Sequence, residues 1–251
     1  SRNSRNSCHL RTATPMPALP TISVLLASGA DTALALSAPG RPGLRYDALR
    51  RQVSATIESL NRLGVGRDDT VAIVLPNGPE MASAFVSIAA GATTAPLNPG
   101  YTADEFSFYL QDLAARLLVA EAGSSSLAVA VARKLGIPIA ELVVAAGAPA
   151  GQFELRGTPG KAARPGEAEA GDVALLLHTS GTTSRPKIVP LTHANVCASA
   201  VHIAAGLALA PADRCLQVMP LFHIHGLIAA VLSSLHAGAE ICCTPGFNAL
   251  Q

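Results

Sequence analysis

The apolar positions of this chain change their period several times, and each change marks an element. Leu49, Val53, Ile57 and Leu60 recur at intervals of three and four, the spacing of one helical face, and Gly64 follows as a stop. VAIVL, residues 71–75, is a short run rich in branched side chains and reads as a strand buried on both faces. Pro79 suits the first turn of a helix whose Met81, Phe85 and Ile88 share a face, with Gly91 just past its end. Thr102 and Glu105 stand at capping-box spacing ahead of Phe106, Tyr109, Leu110 and Leu113, which predicts another helix start. Strands are expected at LLV (117–119), LVVA (142–145), VALLL (173–177) and EICC (240–243). Strands separated by helices in this order predict an α/β fold of βαβ units, its mostly parallel sheets covered by helices. Between Ala146 and Gly171 the pattern lapses into Gly, Pro, Ala and scattered charge, so a surface connection and a subdomain boundary are expected there. No internal repeat is visible.

Composition narrows the partners. With 251 residues, 49% of them hydrophobic and 14% charged, the chain has the means to bury a sizeable core. A net charge of +1 supplies no basic field for a nucleic-acid backbone, which leaves small molecules as the expected partners. Residues 81–103, 188–212 and 215–239 lack Asp, Glu, Lys and Arg and are long enough to span a bilayer. They also carry Pro96, Asn98 and Pro99; His193, Asn195 and His202; and Pro220, His223, His225 and His236. Such groups are costly in lipid, so buried helices and strands are expected and no transmembrane span. The five cysteines are odd in number and form no CxxC pair, which argues against a disulfide framework or a zinc site. Adjacent Cys242 and Cys243 read as buried strand cysteines before a redox pair. Residues 1–15 are rich in Arg, Ser and Thr, and the first acidic residue is Asp31. They read as an unstructured leader, either an organelle transit peptide or sequence ahead of a start at Met16, and the fold is expected from residue 16 onward.

The candidate chemistry follows VALLL directly. HTSGTTSRPK, residues 178–187, gathers hydroxyls from Thr179, Ser180, Thr182, Thr183 and Ser184 around Gly181, with Arg185 and Lys187 at its end. Thr192 then stands as the cap of a helix through Val196, Ala200 and Ile203. A loop of this kind offers backbone N–H groups, hydroxyls and an ammonium to the oxygens of a polyphosphate. A solvated Ser/Thr turn has the same composition. The GxxxxGK pattern of a Walker loop is absent.

TSGTTSRPK, residues 179–187, resembles the signature loop of the adenylate-forming superfamily of acyl-CoA synthetases, luciferases and peptide-synthetase adenylation domains. That loop runs Thr-Ser-Gly, Ser or Thr, Thr-Gly-x-Pro-Lys-Gly. VAIVLPNGPE (71–80), the stretch from Gly91 through PLNPGYTADE (96–105) and MPLFHIHGL (219–227) look like family segments in the family's order, so the resemblance covers residues 16–251. Two positions depart from it. Ser184 replaces the usual Gly, as in the plant and fungal branch that ligates oxalate to CoA, and Ile188 stands where most members have Gly, which bears on how far the end of the loop can move.

The resemblance implies the N-terminal part of the large adenylate-forming domain and a two-step carboxylate:CoA ligation that consumes ATP with Mg²⁺ and then CoA. Thr179, Ser180, Gly181, Thr182, Thr183 and Ser184 would grip the β- and γ-phosphates, Lys187 would partner a phosphate, and His223 would lie near the acyl pocket. His225 has no general family role, and a core histidine is the plain alternative for either imidazole. No metal ligand is expected among the other histidines. Family chains are roughly twice this length and complete the nucleotide site with later segments, so the chain is expected to be a fragment, inactive alone and exposing apolar surface from residues 215–239. The segments at 178–193 and 219–227 point to oxalate as the acid, ahead of a hydroxycinnamate or medium-chain acid, with a non-catalytic truncated product as the reading from another class. The expected compartment is cytoplasmic or peroxisomal.

Overall fold

A computed structural model describes residues 21–179 and 186–247. In chain order it contains α1 (Ile22–Leu25), β1 (Leu34–Ser37), β2 (Leu44–Arg45), α2 (Tyr46–Arg62), β3 (Thr70–Val74), α3 (Pro79–Ala89), β4 (Thr93–Pro96), α4 (Ala103–Asp112), β5 (Leu117–Glu121), α5 (Leu127–Leu135), β6 (Ile139–Val143) and β7 (Glu154–Arg156). Then follow β8 (Val173–Thr179), β9 (Lys187–Thr192), α6 (His193–Gly206), β10 (Arg214–Gln217), a π-helical stretch His225–Leu232 that runs into α7 (Ser233–His236), and β11 (Glu240–Cys243).

Two sheets result. The larger has the order β7-β6-β5-β3-β4-β8-β9, parallel through its middle with antiparallel strands at both edges. The smaller has the order β10-β11-β1-β2, and only β2 runs antiparallel. This is the mostly parallel α/β arrangement that the alternating pattern predicts. Strand β6 begins three residues earlier than LVVA suggested, and Val144, expected inside it, is exposed.

Helix α3 lies between the sheets, touching β4 on one side and β1 and β11 on the other. The periodicity assigned it a single apolar face, yet ten of its eleven residues are buried. Ala82, Ser83, Ala84 and Ser87 let both sheets approach, while Met81, Phe85, Val86 and Ile88 fill the space at about 1.5–3 kcal/mol each. The main core surrounds this helix. A second cluster, with Phe106, Leu110, Val129 and Ala132, lies under α4 and α5 on the opposite face of the larger sheet.

The ends of the helices follow their sequence signals. After α2, Gly64 takes φ +81° and the Val65 N–H reaches the Leu60 carbonyl at 2.9 Å, closing the turn as a glycine stop should. Thr102 with Glu105, and Thr192 with Asn195, both form reciprocal capping boxes.

Residues 146–171 contribute β7 and are tied to their surroundings by main-chain bonds such as Gly160 N to Arg62 O (2.8 Å) and Ala168 N to Ala90 O (2.8 Å). Strands from before and after this segment join the same sheet. The third uncharged run, expected to leave apolar surface open, is mostly buried. Leu227, Val231, Leu232 and Leu235 pack into the core, while Leu216, Met219 and Ile224 stay exposed. The difference arises because the π-helical turn and α7 pack against α6 and α3. Among the described residues no helix is long and apolar enough to cross a membrane.

Candidate functional site

In parallel α/β sheets, ligands bind beyond the carboxyl ends of the strands, and here those ends from both sheets converge. Asn77, just after β3, joins them. Its Oδ1 accepts the Leu221 N–H at 2.9 Å and its Nδ2 donates to the Thr244 carbonyl at 3.1 Å. The segment after β10 and the segment after β11 are thereby tied to the β3–α3 connection. Leu97 and Pro99, beyond β4, share a narrow crevice with Leu75, Met81, Leu221 and Phe222.

Strand β8 lies next to β4 and ends at this edge with Thr179. It turns back as β9, and the paired register sets His178 opposite Ile188 and Thr179 opposite Lys187. Thr179 Oγ1 lies 3.5 Å from the Lys187 carbonyl oxygen, and both residues are exposed. Strand alternation puts Thr179 and Lys187 on the same face as Leu177 and Leu191, which pack on the main core between the sheets. Ser180, Gly181, Thr182, Thr183 and Ser184, expected as phosphate donors, lie outside the described residues, as does Arg185.

His223 is exposed in the turn after β10. Its N–H donates to the Pro220 carbonyl at 3.2 Å, its carbonyl accepts the Leu227 N–H at 3.2 Å, and its ring lies 4.5 Å from that of Phe222. His225 is exposed at the start of the π-helical stretch. The structure therefore brings Thr179 and Lys187 into direct cross-strand pairing and holds the His223 segment at the same sheet edge through Asn77.

Two residues at this edge escaped the sequence reading. The His178 side chain, 7% exposed, sets its Nε2 2.9 Å from Asp112 Oδ2, and its ring meets Tyr109 edge-on with centroids 4.6 Å apart. His178 was visible as the residue before the loop. Asp112, distant in sequence and at the end of α4, carried no signal.

The opposite, amino edge is held by ions. Arg67 binds Asp172 through Nε at 2.7 Å and a second nitrogen at 3.1 Å, and also pairs with Glu169. This contact holds the Asp172 carboxyl below the usual carboxylate range. The cysteines of β11 point to opposite faces: Cys243 is buried and its thiol is pushed up to about 12 by burial, while Cys242 is half-buried. Alternation along a strand thus separates the two thiols. Among the described residues no three His, Cys, Asp or Glu side chains gather to hold a metal ion. A hydroxyl and an ammonium, as on Thr179 and Lys187, suit the oxygens of phosphate.

Residues 29–251 match the family described as AMP-binding enzyme. A probable CoA ligase of Humulus lupulus, CCL9, is 38% identical over 213 residues, covering 82% of this chain and 40% of that protein. The oxalate–CoA ligase of Arabidopsis thaliana is 39% identical over 214 residues, covering 82% and 41%. The ATP-bound crystal structure of MatB from Rhodopseudomonas palustris superposes with a TM-score of 0.75 at 24% identity, covering 91% of this chain and 46% of that one. The chain spans about two fifths of the length of the curated relatives it matches.

Proposed function

The chain belongs to the AMP-binding enzyme family, and from that premise we propose that it is the N-terminal part of an ATP-dependent carboxylate:CoA ligase whose acid is oxalate. In the first step an acid oxygen attacks the α-phosphorus of ATP, the bond to the bridging oxygen breaks, and pyrophosphate leaves with that electron pair. In the second, the CoA sulfur attacks the acyl carbon, the bond from that carbon to the phosphate oxygen breaks, AMP departs with the electron pair, and the thiol proton is released to solvent. Thr179 and the loop residues Ser180, Gly181, Thr182, Thr183 and Ser184 donate to the leaving phosphates, and Lys187 neutralises charge as it accumulates on pyrophosphate. Fixed donors of this kind lower the barrier because they need no reorganisation when the charge appears. His223 stands on the acyl side, where an imidazole can hydrogen-bond a carboxylate. Mg²⁺, carried by the nucleotide, supplies further charge neutralisation when bound.

The observation that supports this reading is the meeting, at one sheet edge, of the Thr179–Lys187 stem and the turn bearing His223. Oxalate is preferred because HTSGTTSRPK and MPLFHIHGL are similar to that branch, and an oxalate–CoA ligase is among the relatives. A small dianion needs donors and cations where a long acid needs an apolar tunnel. Residues 1–251 alone would lack the later segments that complete the nucleotide site in the family, and they are proposed to be inactive by themselves.

The test is acid-dependent ATP–pyrophosphate exchange by the complete protein with oxalate, coumarate and octanoate. A kcat/KM for oxalate well above the other two is expected, and comparable values for octanoate would overturn the substrate assignment.

A further inference from the structure

We infer that His178 and Asp112 form a positioning pair that holds the β8–β9 stem against α4 and so sets where Thr179 and Lys187 are presented. The inference rests on the proposed ligase reading for its catalytic consequence, but its structural content stands on the stem alone.

The stem needs such an anchor. Pairing between β4 and β8 is registered only at Thr94–Leu175, supported by the Thr93 and Thr94 hydroxyls donating to the Val173 and Ala174 carbonyls at 2.8 and 2.6 Å. From Leu176 to Thr179 the registered ladder partner of β8 is β9, an edge strand that carries Pro190. The hairpin tip, His178 and Thr179 with Lys187 and Ile188, thus lies beyond the registered β4 pairing, above Leu177 and Leu191 on the main core, and a two-stranded tip is at best marginally stable in water without packing on one face.

The face toward α4 provides that packing. His178 and Ile188 sit opposite each other in the ladder, and Ile188 packs with Leu176 and Tyr109 against the apolar cluster under α4 and α5. The His178 ring is held edge-on by Tyr109, with Phe108 6.4 Å away, and Nε2 meets the Asp112 carboxylate. An ionised carboxylate only accepts, so Nε2 carries the hydrogen in this contact. Asp112 is itself well fixed, as the last residue of a helix that starts with a capping box and buries Phe106 and Leu110. A slip of one residue would carry His178 away from Asp112 and turn Thr179 and Lys187 to the wrong face. A pinned face on one side of the hairpin tip therefore determines the aim of the donors on the other.

The experiment uses the complete protein with His178→Phe, Asp112→Ala, the double variant and His178→Gln. Phenylalanine keeps the ring packing and removes the donor, so folding is retained, while glutamine keeps a donor near the Nε2 position. Amide hydrogen exchange without nucleotide should rise about tenfold at 176–179 and 187–190 in His178→Phe and Asp112→Ala. It should be no greater in the double variant and should return toward wild type in His178→Gln. In ATP–pyrophosphate exchange the same two single variants should raise KM for ATP by about tenfold with a smaller change in kcat. Unchanged stem exchange, an increase spread over all of α4 and α5, or additive effects in the double variant would each overturn the pair. Absence of pyrophosphate exchange in the wild-type protein with every acid would overturn the ligase reading, while the amide data would still decide on the pair.

Discussion

Thr179 and Lys187 face each other across the β8–β9 ladder, exposed at the carboxyl edge of the larger sheet. Replacing Lys187 with alanine in the complete enzyme should lower ATP–pyrophosphate exchange by about tenfold to a hundredfold, the worth of a charged hydrogen bond to phosphate. The melting temperature should hardly change, because the side chain is exposed. Wild-type exchange in that variant would refute the phosphate role. A second residue contributes to pH dependence. His193 is fully buried at the start of α6, where its Nδ1 accepts the Ile22 N–H at 3.2 Å and its Nε2, turned toward the Ala89 carbonyl, lacks a hydrogen bond of good geometry. Burial holds its pKa below the usual imidazole range, against the smaller pull of the Ala89 carbonyl and Asp172. The unfolded chain therefore binds this proton first. The stabilising contribution is complete above about pH 6.5 and is lost as pH falls from there through the lower folded value. His193→Asn retains an acceptor and cannot titrate, so the loss of thermal stability between pH 7 and pH 5 should be shallower in the variant. An equally steep loss would assign the effect to other groups.

At the scale of elements, helix starts follow side-chain chemistry closely and helix ends reveal local strain. The capping box at Thr102 and the cap at Thr192 were legible because a hydroxyl at a helix start satisfies a backbone N–H three residues on without tertiary help; that Asn195 completes a box with Thr192 came from the structure. Two helices close less comfortably. Ala114 after α4 and Ala208 after α6 take φ of +47° and +52°, and each precedes an N–H that reaches back to the helix, from Ala115 to Leu110 and from Leu209 to Ala204. Both are the left-handed closing position where glycine is normally found. Because an L-residue is disfavoured there by roughly 1–2 kcal/mol, Ala114→Gly should stabilise the protein by about 1 kcal/mol in chemical denaturation. A loss of stability would show that the Ala114 methyl contributes packing that outweighs the strain.

For the whole molecule, α3 between two sheets is the organising feature, and Asn77 at its entrance ties the site segments to it. The chain spans about two fifths of its curated relatives, and its exposed apolar residues include Leu216 (62% exposed) and Phe247 (78%) beside a cavity of ≈ 820 Å³ that also meets Cys242 and Val218. Purified residues 1–251 are expected to produce no acid-dependent AMP, since catalysis of this class needs several groups acting as a unit. They should also self-associate with rising concentration. AMP formation by that polypeptide with any acid would place the active site wholly within these residues.

The sequence by itself determined what depends on near neighbours: the 3.6-residue face of α2 and its glycine stop, the capping box at Thr102 and the cap at Thr192, the apolar strands and the hydroxyl-rich run after VALLL. Each is a local satisfaction of backbone groups or a local burial pattern, so it survives in a one-dimensional string. Tertiary structure alone decided that α3 is buried on every side, because its small residues read as a weak face until two sheets close on them. It alone joined Asn77 to Leu221 and Thr244, separations of 144 and 167 residues, and His178 to Asp112 across 66. Such contacts are fixed by sheet order and strand register, which depend on the burial of whole faces at once and leave no spacing in the chain to read.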